Sequence, residues 1–288
     1  MDDAHERDVI AILIGTLEAG GAQRMALALA EALLDTGFEV RIYVLDADRE
    51  MALATTGGRS HPLTERIRHL STARTAENTL RKALAFPRLR VRLEAALAAD
   101  RAVIAISFME RANLLNLLGR RRIPRVISIR KHLTMALKEK GRLKSTLIRL
   151  GYPLLLRRAA EINFNAAESA ADFRSRFAAG ATPVSVIPNF VASDLMARAA
   201  EDPGADARAL LAPPVILSAG RLLPVKGHVA LIRAFASIAA ARPSLRLVIL
   251  GEGPLRPHLE ALRDVLGLHA RIALPGFDVQ CLICAGHF

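Results

Sequence analysis

Two basic residues, Arg221 and Lys226, lie between an apolar run and a helical pattern. Residues 215–217 have the composition of a strand buried on both faces, and Gly220 permits a tight bend after it. From about residue 227, apolar side chains recur at helical spacing. N–H groups at a helix amino terminus attract anions, and two neighbouring cations strengthen that attraction. The pattern therefore favours a diphosphate site, with ordinary solvated surface charges as the alternative.

Two further strand patterns follow, and each ends in glycine. Residues 245–250 precede Gly251, Glu252 and Gly253, and residues 271–277 contain Gly276. Ligands of open α/β sheets bind beyond the carboxyl ends of the strands. These turns are therefore candidates for the same kind of site as the first one.

The segments GRLLPVKG, LVILGEGPLR and IALPGF, in this order, resemble the retaining, nucleotide-sugar-dependent glycosyltransferases of the group 1 family. The resemblance implies a GT-B fold, in which two Rossmann-like domains face each other across a cleft. It also implies that Arg221 and Lys226 are catalytic, because they would stabilise the charge that grows on the leaving nucleotide diphosphate. The donor-binding residues that it implies are Gly220, Gly251, Glu252, Gly253 and Gly276.

Three N-terminal segments resemble the same family. EAGGAQR is similar to its GGA-[EQ]-R loop, and SFMERAN and SIR are similar to patterns of lipid-linked-oligosaccharide and polysaccharide transferases. The candidate cleft or acceptor residues are Gly20, Gly21, Ser107, Asn113, Arg130 and Asn189. A plain helix start at the glycines and a hydrogen-bonded structural role for Asn113 remain alternatives.

Alternating strand and helix patterns predict an α/β protein with doubly wound parallel sheets. The strands predicted before the linker are 9–14, 40–45, 67–70, 102–108, 125–130, 161–164 and 184–187. The predicted domains are 1–195, an acceptor-side Rossmann-like domain, and 214–288, a nucleotide-sugar-binding one, joined by a linker at 196–213. Group 1 enzymes carry a Glu-x7-Glu segment downstream of these elements, and no such segment follows residue 277; Glu252 belongs to the earlier GEGP turn. We therefore expect a C-terminally truncated, incomplete second domain and impaired turnover.

Positive charge is concentrated in one part of the chain. The formal net charge is +12, and residues 120–158 hold thirteen Lys or Arg and one acid. Cations mixed with leucines are typical of segments that lie on an anionic membrane surface. The absence of Trp and the two Tyr argue against stacking on nucleic acid. An anionic membrane is thus the predicted partner and nucleic acid is not, while a solvated basic face remains the alternative.

The termini and cysteines bear on location and cofactors. A polar, acidic start and the lack of a long apolar run predict a cytoplasmic protein, peripheral on the cytoplasmic membrane face. Cys281, Cys284 and His287 are three clustered ligands where structural zinc needs four, so no metal site is expected. We expect no cofactor, a UDP-linked donor and metal-free chemistry.

The predicted activity is transfer of a hexose or N-acetylhexosamine, with retention, from a nucleotide diphosphate sugar to a lipid-linked glycan or polysaccharide precursor. His132 is a weak candidate for the family's catalytic histidine. Two alternatives remain open: a non-catalytic fragment that binds a membrane or partner, and an NAD-dependent Rossmann oxidoreductase. The oxidoreductase alternative is weakened because Gly20 and Gly21 do not form a G-x-G-x-x-G fingerprint. Asp46 is the only acid at the end of the second predicted strand that could bind a ribose.

Overall fold

The chain forms two compact units, Met1–Phe190 and Val191–Phe288. Their structure is a computed structural model that describes residues 8–17, 21–46, 62–71, 79–130, 153–177, 181–189 and 204–276. Each unit contains its own parallel sheet, and each is described by itself below.

The first unit contains a seven-stranded sheet in the order β3-β2-β1-β4-β5-β6-β7. Every neighbouring pair is parallel. The sheet changes direction between β1 and β4, as a doubly wound fold requires. Its strands are β1 Val9–Ile14, β2 Glu39–Val44, β3 Ile67–His69, β4 Ala102–Phe108, β5 Arg125–Ile129, β6 Glu161–Phe164 and β7 Val184–Val186.

Helices cover both faces of this sheet. They are α1 Gly21–Asp35, α2 Thr79–Ala99, α3 Glu110–Leu117 and α4 Ala167–Arg176, with a 3-10 turn at Thr64–Arg66 and a helical turn at 153–156. Successive residues of β1 point to opposite faces. Ile12 packs in the core that contains Met25 of α1, and Leu13 packs in the core that contains Leu93 of α2. Nearly every β1 residue is apolar because both faces are buried.

The second unit contains a three-stranded parallel sheet in the order β10-β9-β8. One face of this sheet is covered by two helices of the unit, through the side chains of Ile232, Phe235 and Leu259. The elements are α5 Ala205–Leu210, β8 Val215–Ala219, a 3-10 turn at Pro224–Lys226, α6 His228–Ala239, β9 Arg246–Leu250, α7 Arg256–Val265 and β10 Ile272–Gly276.

The segment predicted as a linker, 196–213, contains a helix in the structure. Ala207 of α5 and the following Leu211 are buried against Val248 and Leu250, on the face opposite α6 and α7. A helix forms here because its apolar side chains cover the other face of the short sheet. Proline, glycine and aspartate in this segment obscured that pattern.

The predicted α/β class and the strand positions are confirmed, since each described strand lies within two residues of its predicted bounds. Within the described ranges, no helix combines the length and the apolar character needed to cross a membrane. Residues 131–152 lie outside the described residues; they hold His132 and six of the thirteen Lys and Arg of the basic segment. Residues 277–288, which hold Cys281, Cys284 and His287, also lie outside them.

Candidate functional site

Arg221 and Lys226 lie at the two ends of the loop that joins β8 to α6. The side chain of Lys226 packs beside Gly220, since a β-carbon added to that glycine would lie 3.7 Å from Lys226 Cδ. Gly227, with a φ of 71°, then reverses the chain into α6. Both cations are exposed, and within the described ranges neither forms a side-chain hydrogen bond or ion pair. Two unpaired positive charges therefore border the amino terminus of a twelve-residue helix.

Backbone hydrogen bonds join the three glycine turns of the second unit. The N–H of Gly220 donates to Leu250 O at 2.9 Å, and the N–H of Gly251 donates to Gly276 O at 2.7 Å. A β-carbon on Gly251 would lie 2.1 Å from Gly220 O. The structure thus brings the predicted donor-binding glycines together at the carboxyl edge of the sheet.

Glu252 is held by Arg256, the first residue of α7. Arg256 Nε donates to Glu252 Oε2 at 2.9 Å and its Nη2 donates to Oε1 at 2.8 Å. These hydrogen bonds lower the pKa of Glu252. The same guanidinium also donates to Leu274 O at 2.9 Å. Glu252 therefore remains ionised at neutral pH, and Arg256 links it to the third strand, while the Glu252 side chain stays 58% exposed.

His228, the first residue of α6, was missed by the sequence prediction. It is 2% exposed, and neither ring nitrogen has a hydrogen-bond partner in the part of the chain that the structure describes. The ring lies on the same helix face as Ile232 and Phe235. The available signal was a polar residue at an apolar position, directly after the predicted phosphate loop.

Ser107 and Asn113 of the first unit are brought together, but both are buried. The Ser107 hydroxyl donates to Asn113 Oδ1 at 2.8 Å, and Asn113 Nδ2 donates to Ser128 O at 2.9 Å. Asn116 Nδ2 also donates to Ser107 Oγ at 3.1 Å. These bonds join β4, α3 and β5. Of the two glycines predicted for this unit, Gly21 begins α1 and Gly20 lies outside the described residues.

Arg130 and Asn189 lie together although 59 residues separate them. Arg130 Nη1 donates to Asn189 Oδ1 at 2.6 Å, and Nε donates to Ser128 Oγ at 2.7 Å. The guanidinium carbon also lies 5.2 Å from the centre of the Phe108 ring. Desolvation by burial lowers the pKa of Arg130. The structure thus places a cation among neutral groups at the carboxyl ends of β4 and β5.

A buried arginine that the sequence prediction missed, Arg125, lies at the opposite end of β5, at its first residue. Arg125 is 4% exposed, and its Nη1 donates to Asn116 O at 2.8 Å while its Nη2 donates to Glu94 Oε1 at 3.1 Å. Burial lowers the pKa of Arg125, and Glu94 opposes that effect. This network stabilises the β5 start rather than offering a free charge.

The acid considered for a dinucleotide site already has a partner. Asp46 is 7% exposed and forms an ion pair with Arg111 of α3. The sequence places it in an Asp-x-Asp with Asp48, and Asp48 lies outside the described residues. Its pairing with Arg111 leaves Asp46 poorly suited to bind ribose hydroxyls.

Comparisons with known proteins identify both units. Residues 20–189 match the family described as "Glycosyl transferase 4-like domain", and residues 206–280 match "Glycosyl transferases group 1". A 63-residue stretch is 49% identical to a Campylobacter jejuni N-acetylgalactosaminyltransferase, named for the substrate N-acetylgalactosamine-N,N'-diacetylbacillosaminyl-diphospho-undecaprenol. That stretch covers 22% of this chain and 16% of the relative.

Solved structures give the fold. A sucrose-phosphate synthase from Thermosynechococcus elongatus aligns with a TM-score of 0.73 and 18% identity, over 98% of this chain and 73% of that one. Anabaena HepE in complex with UDP aligns with a TM-score of 0.66 and 18% identity, over 95% and 70% of the two chains. The structural neighbours are GT-B glycosyltransferases, which confirms the predicted fold class. Because one family match spans more than half of its residues and a second follows it, the chain belongs to the group 1 glycosyltransferases.

Proposed function

We propose that the chain binds a nucleotide diphosphate sugar through its second unit and transfers a hexose or N-acetylhexosamine to a lipid-linked glycan or polysaccharide precursor, with retention. The observation that carries the proposal is that Arg221 and Lys226, near the start of α6, have no ion-pair partner among the described residues. The UDP in the HepE complex supports a UDP-linked donor. The diphospho-undecaprenol in the name of the Campylobacter relative supports a lipid-linked acceptor.

Charge development on the leaving group explains why cations belong at this loop. When the bond between sugar and diphosphate breaks, negative charge accumulates on the diphosphate oxygens. Arg221 and Lys226 would stabilise that charge from positions fixed before the reaction, which lowers the barrier. The N–H groups at the start of α6 add a favourable dipole. In this proposal the protein's own cations balance the diphosphate, so the reaction proceeds without a metal.

Calorimetric titration of the purified chain with UDP, UDP-glucose, UDP-N-acetylglucosamine and NAD tests the donor class. We expect UDP and at least one UDP-sugar to bind, because they present both a diphosphate to Arg221 and Lys226 and the uridine of a nucleotide-sugar donor. NAD also contains a diphosphate, but its adenosine and nicotinamide nucleosides replace the uridine, so we expect no heat from NAD. The family membership favours this result over the oxidoreductase alternative. Binding of NAD without binding of UDP would overturn the proposal.

We also propose that the first unit associates with the cytoplasmic face of an anionic membrane. Arg120 and Arg122, at the described start of the basic segment, are exposed. Cations near such a surface each contribute about 1 kcal/mol of attraction.

Reversing both charges, with Arg120→Glu and Arg122→Glu, is expected to reduce sedimentation with phosphatidylglycerol vesicles by at least tenfold, because attraction is replaced by repulsion. The matched control reverses Arg233 and Arg242, two exposed arginines of the second unit. An equal loss in both variants would show only a net-charge effect, and no loss in either would contradict membrane association through this segment.

A further inference from the structure

Arg130 carries a positive charge that no acid balances in the described part of the chain. It is partly buried, and its partners among the described residues are a hydroxyl, an amide oxygen and an aromatic ring. Arg125, by contrast, is deeply buried and paired with Glu94. Removing a cation from water without a counter-charge is costly. A cation held in this way is suited to receive an anion from outside the protein.

The surroundings of Arg130 hold its guanidinium in one orientation. Ser128, which accepts from Arg130 Nε, donates its own hydroxyl to Asn163 Oδ1 at 3.2 Å, and Asn163 Nδ2 donates to Ser185 Oγ at 3.1 Å. These three residues are register partners on β5, β6 and β7. Nε and Nη1 have partners, while Nη2 has none among the described residues. The guanidinium of Arg130 therefore keeps N–H donors at Nη2 whose geometry fits a phosphate.

A strained backbone lies beside the same group. Met109, directly after β4, has a φ of 73°, which is rare for a residue with a side chain. Its N–H donates to Ser128 O at 3.3 Å, and the preceding Phe108 supplies the ring that faces Arg130. Strain of this kind persists where the surrounding structure enforces it, and it is concentrated at ligand sites. It is an observation separate from the unbalanced charge.

We propose that Arg130, oriented by Ser128 and Asn189, binds the diphosphate through which the acceptor glycan is joined to its lipid. This inference rests on the proposed function, which already assigns the donor diphosphate to Arg221 and Lys226 in the other unit. A second diphosphate site in the first unit means that the acceptor is recognised by its anionic linkage as well as by its sugar. Neutral glycans would be poor acceptors for the same reason.

The test uses geranyl diphosphate as a soluble probe of the linkage, geraniol as its neutral match, and UDP as the probe of the donor site. All three are titrated into the full chain. Asn189→Asp is the decisive variant, because it places a carboxylate on Arg130 Nη1 without removing the arginine. Because Asn189 is exposed, we expect the Asn189→Asp variant to fold like the wild-type chain. Arg130→Gln removes the charge itself, and circular dichroism confirms folding of both variants.

We expect the wild-type chain to bind geranyl diphosphate but not geraniol. Asn189→Asp and Arg130→Gln should each weaken geranyl diphosphate binding by about 10- to 100-fold, because the first balances the Arg130 charge with a fixed carboxylate and the second removes the charge-assisted contact. UDP binding should change by less than about twofold in both. Arg221→Gln should give the opposite pattern, with UDP weakened and geranyl diphosphate unaffected.

Three results would overturn the inference. One is unchanged geranyl diphosphate affinity in Asn189→Asp. Another is loss of UDP binding alone in that variant, which would assign Arg130 to the donor. The third is unchanged geranyl diphosphate binding together with weaker binding to phosphatidylglycerol vesicles, which would assign it to lipid headgroups. Failure of the wild-type chain to bind UDP would contradict the proposed donor function, and the geranyl diphosphate measurements would still decide the role of Arg130.

Discussion

Arg221→Gln is expected to weaken UDP binding by about 10- to 100-fold, and to lower any transfer rate by about 10²- to 10³-fold. The larger effect on rate has a physical reason. The diphosphate carries more charge as the sugar departs than it does in the intact donor, so the guanidinium interacts more strongly with the transition state. Binding is measured by calorimetry, and transfer by release of UDP with a lipid-linked acceptor.

The matched control is Arg233→Gln, which removes the same charge from an exposed position inside α6. It should leave both measurements within about twofold of wild type, because the side chain is more than one turn from the helix start. Lys226→Gln should resemble Arg221→Gln. If Arg221→Gln and Arg233→Gln have equal effects, the loop cations act only through net charge, and the assigned diphosphate site is wrong.

Gly251→Ala is expected to destabilise the second unit by about 3–5 kcal/mol. Two costs combine at this position. The backbone has a φ of 143°, which disfavours any side chain, and the new β-carbon would lie 2.1 Å from the carbonyl oxygen of Gly220. That oxygen belongs to the backbone of the turn before Arg221, so relieving the clash must move the turn itself. Urea unfolding followed by circular dichroism measures the loss.

Gly267→Ala separates the two costs. Gly267 also has a positive φ, of 67°, but no atom lies within 4 Å of an added β-carbon. It should lose only the conformational part, about 1–2 kcal/mol. Gly251→Ala should also weaken UDP binding, whereas Gly267→Ala should not. Equal destabilisation by the two variants would show that the contact between Gly251 and Gly220 is not tight in the folded protein.

The two sheets could be predicted from the sequence because their signals are local. A strand buried on both faces must be apolar throughout, and β1 and β4 were therefore predicted at their observed bounds. The turns after β8 and β9 were evident because only glycine tolerates their backbone geometry, as Gly251 shows. The short helix α5 was missed, since its burial depends on Val248 and Leu250, which lie about forty residues away.

Only the tertiary structure shows which of the candidate site residues already have hydrogen-bond partners. The resemblance to the group 1 family made Ser107, Asn113, Arg130 and Asn189 candidates of one class. Only the packing of the strands shows that Ser107 and Asn113 form a hydrogen bond with each other in the core. Arg130, by contrast, donates to the amide oxygen of Asn189 and contacts no acid among the described residues. Strand order has no local code, because it depends on which distant segments bury each other's faces. The sequence by itself therefore determined where the strands end in turns that carry polar residues and glycine, and the tertiary structure determined which side chains at those turns already have partners among the described residues.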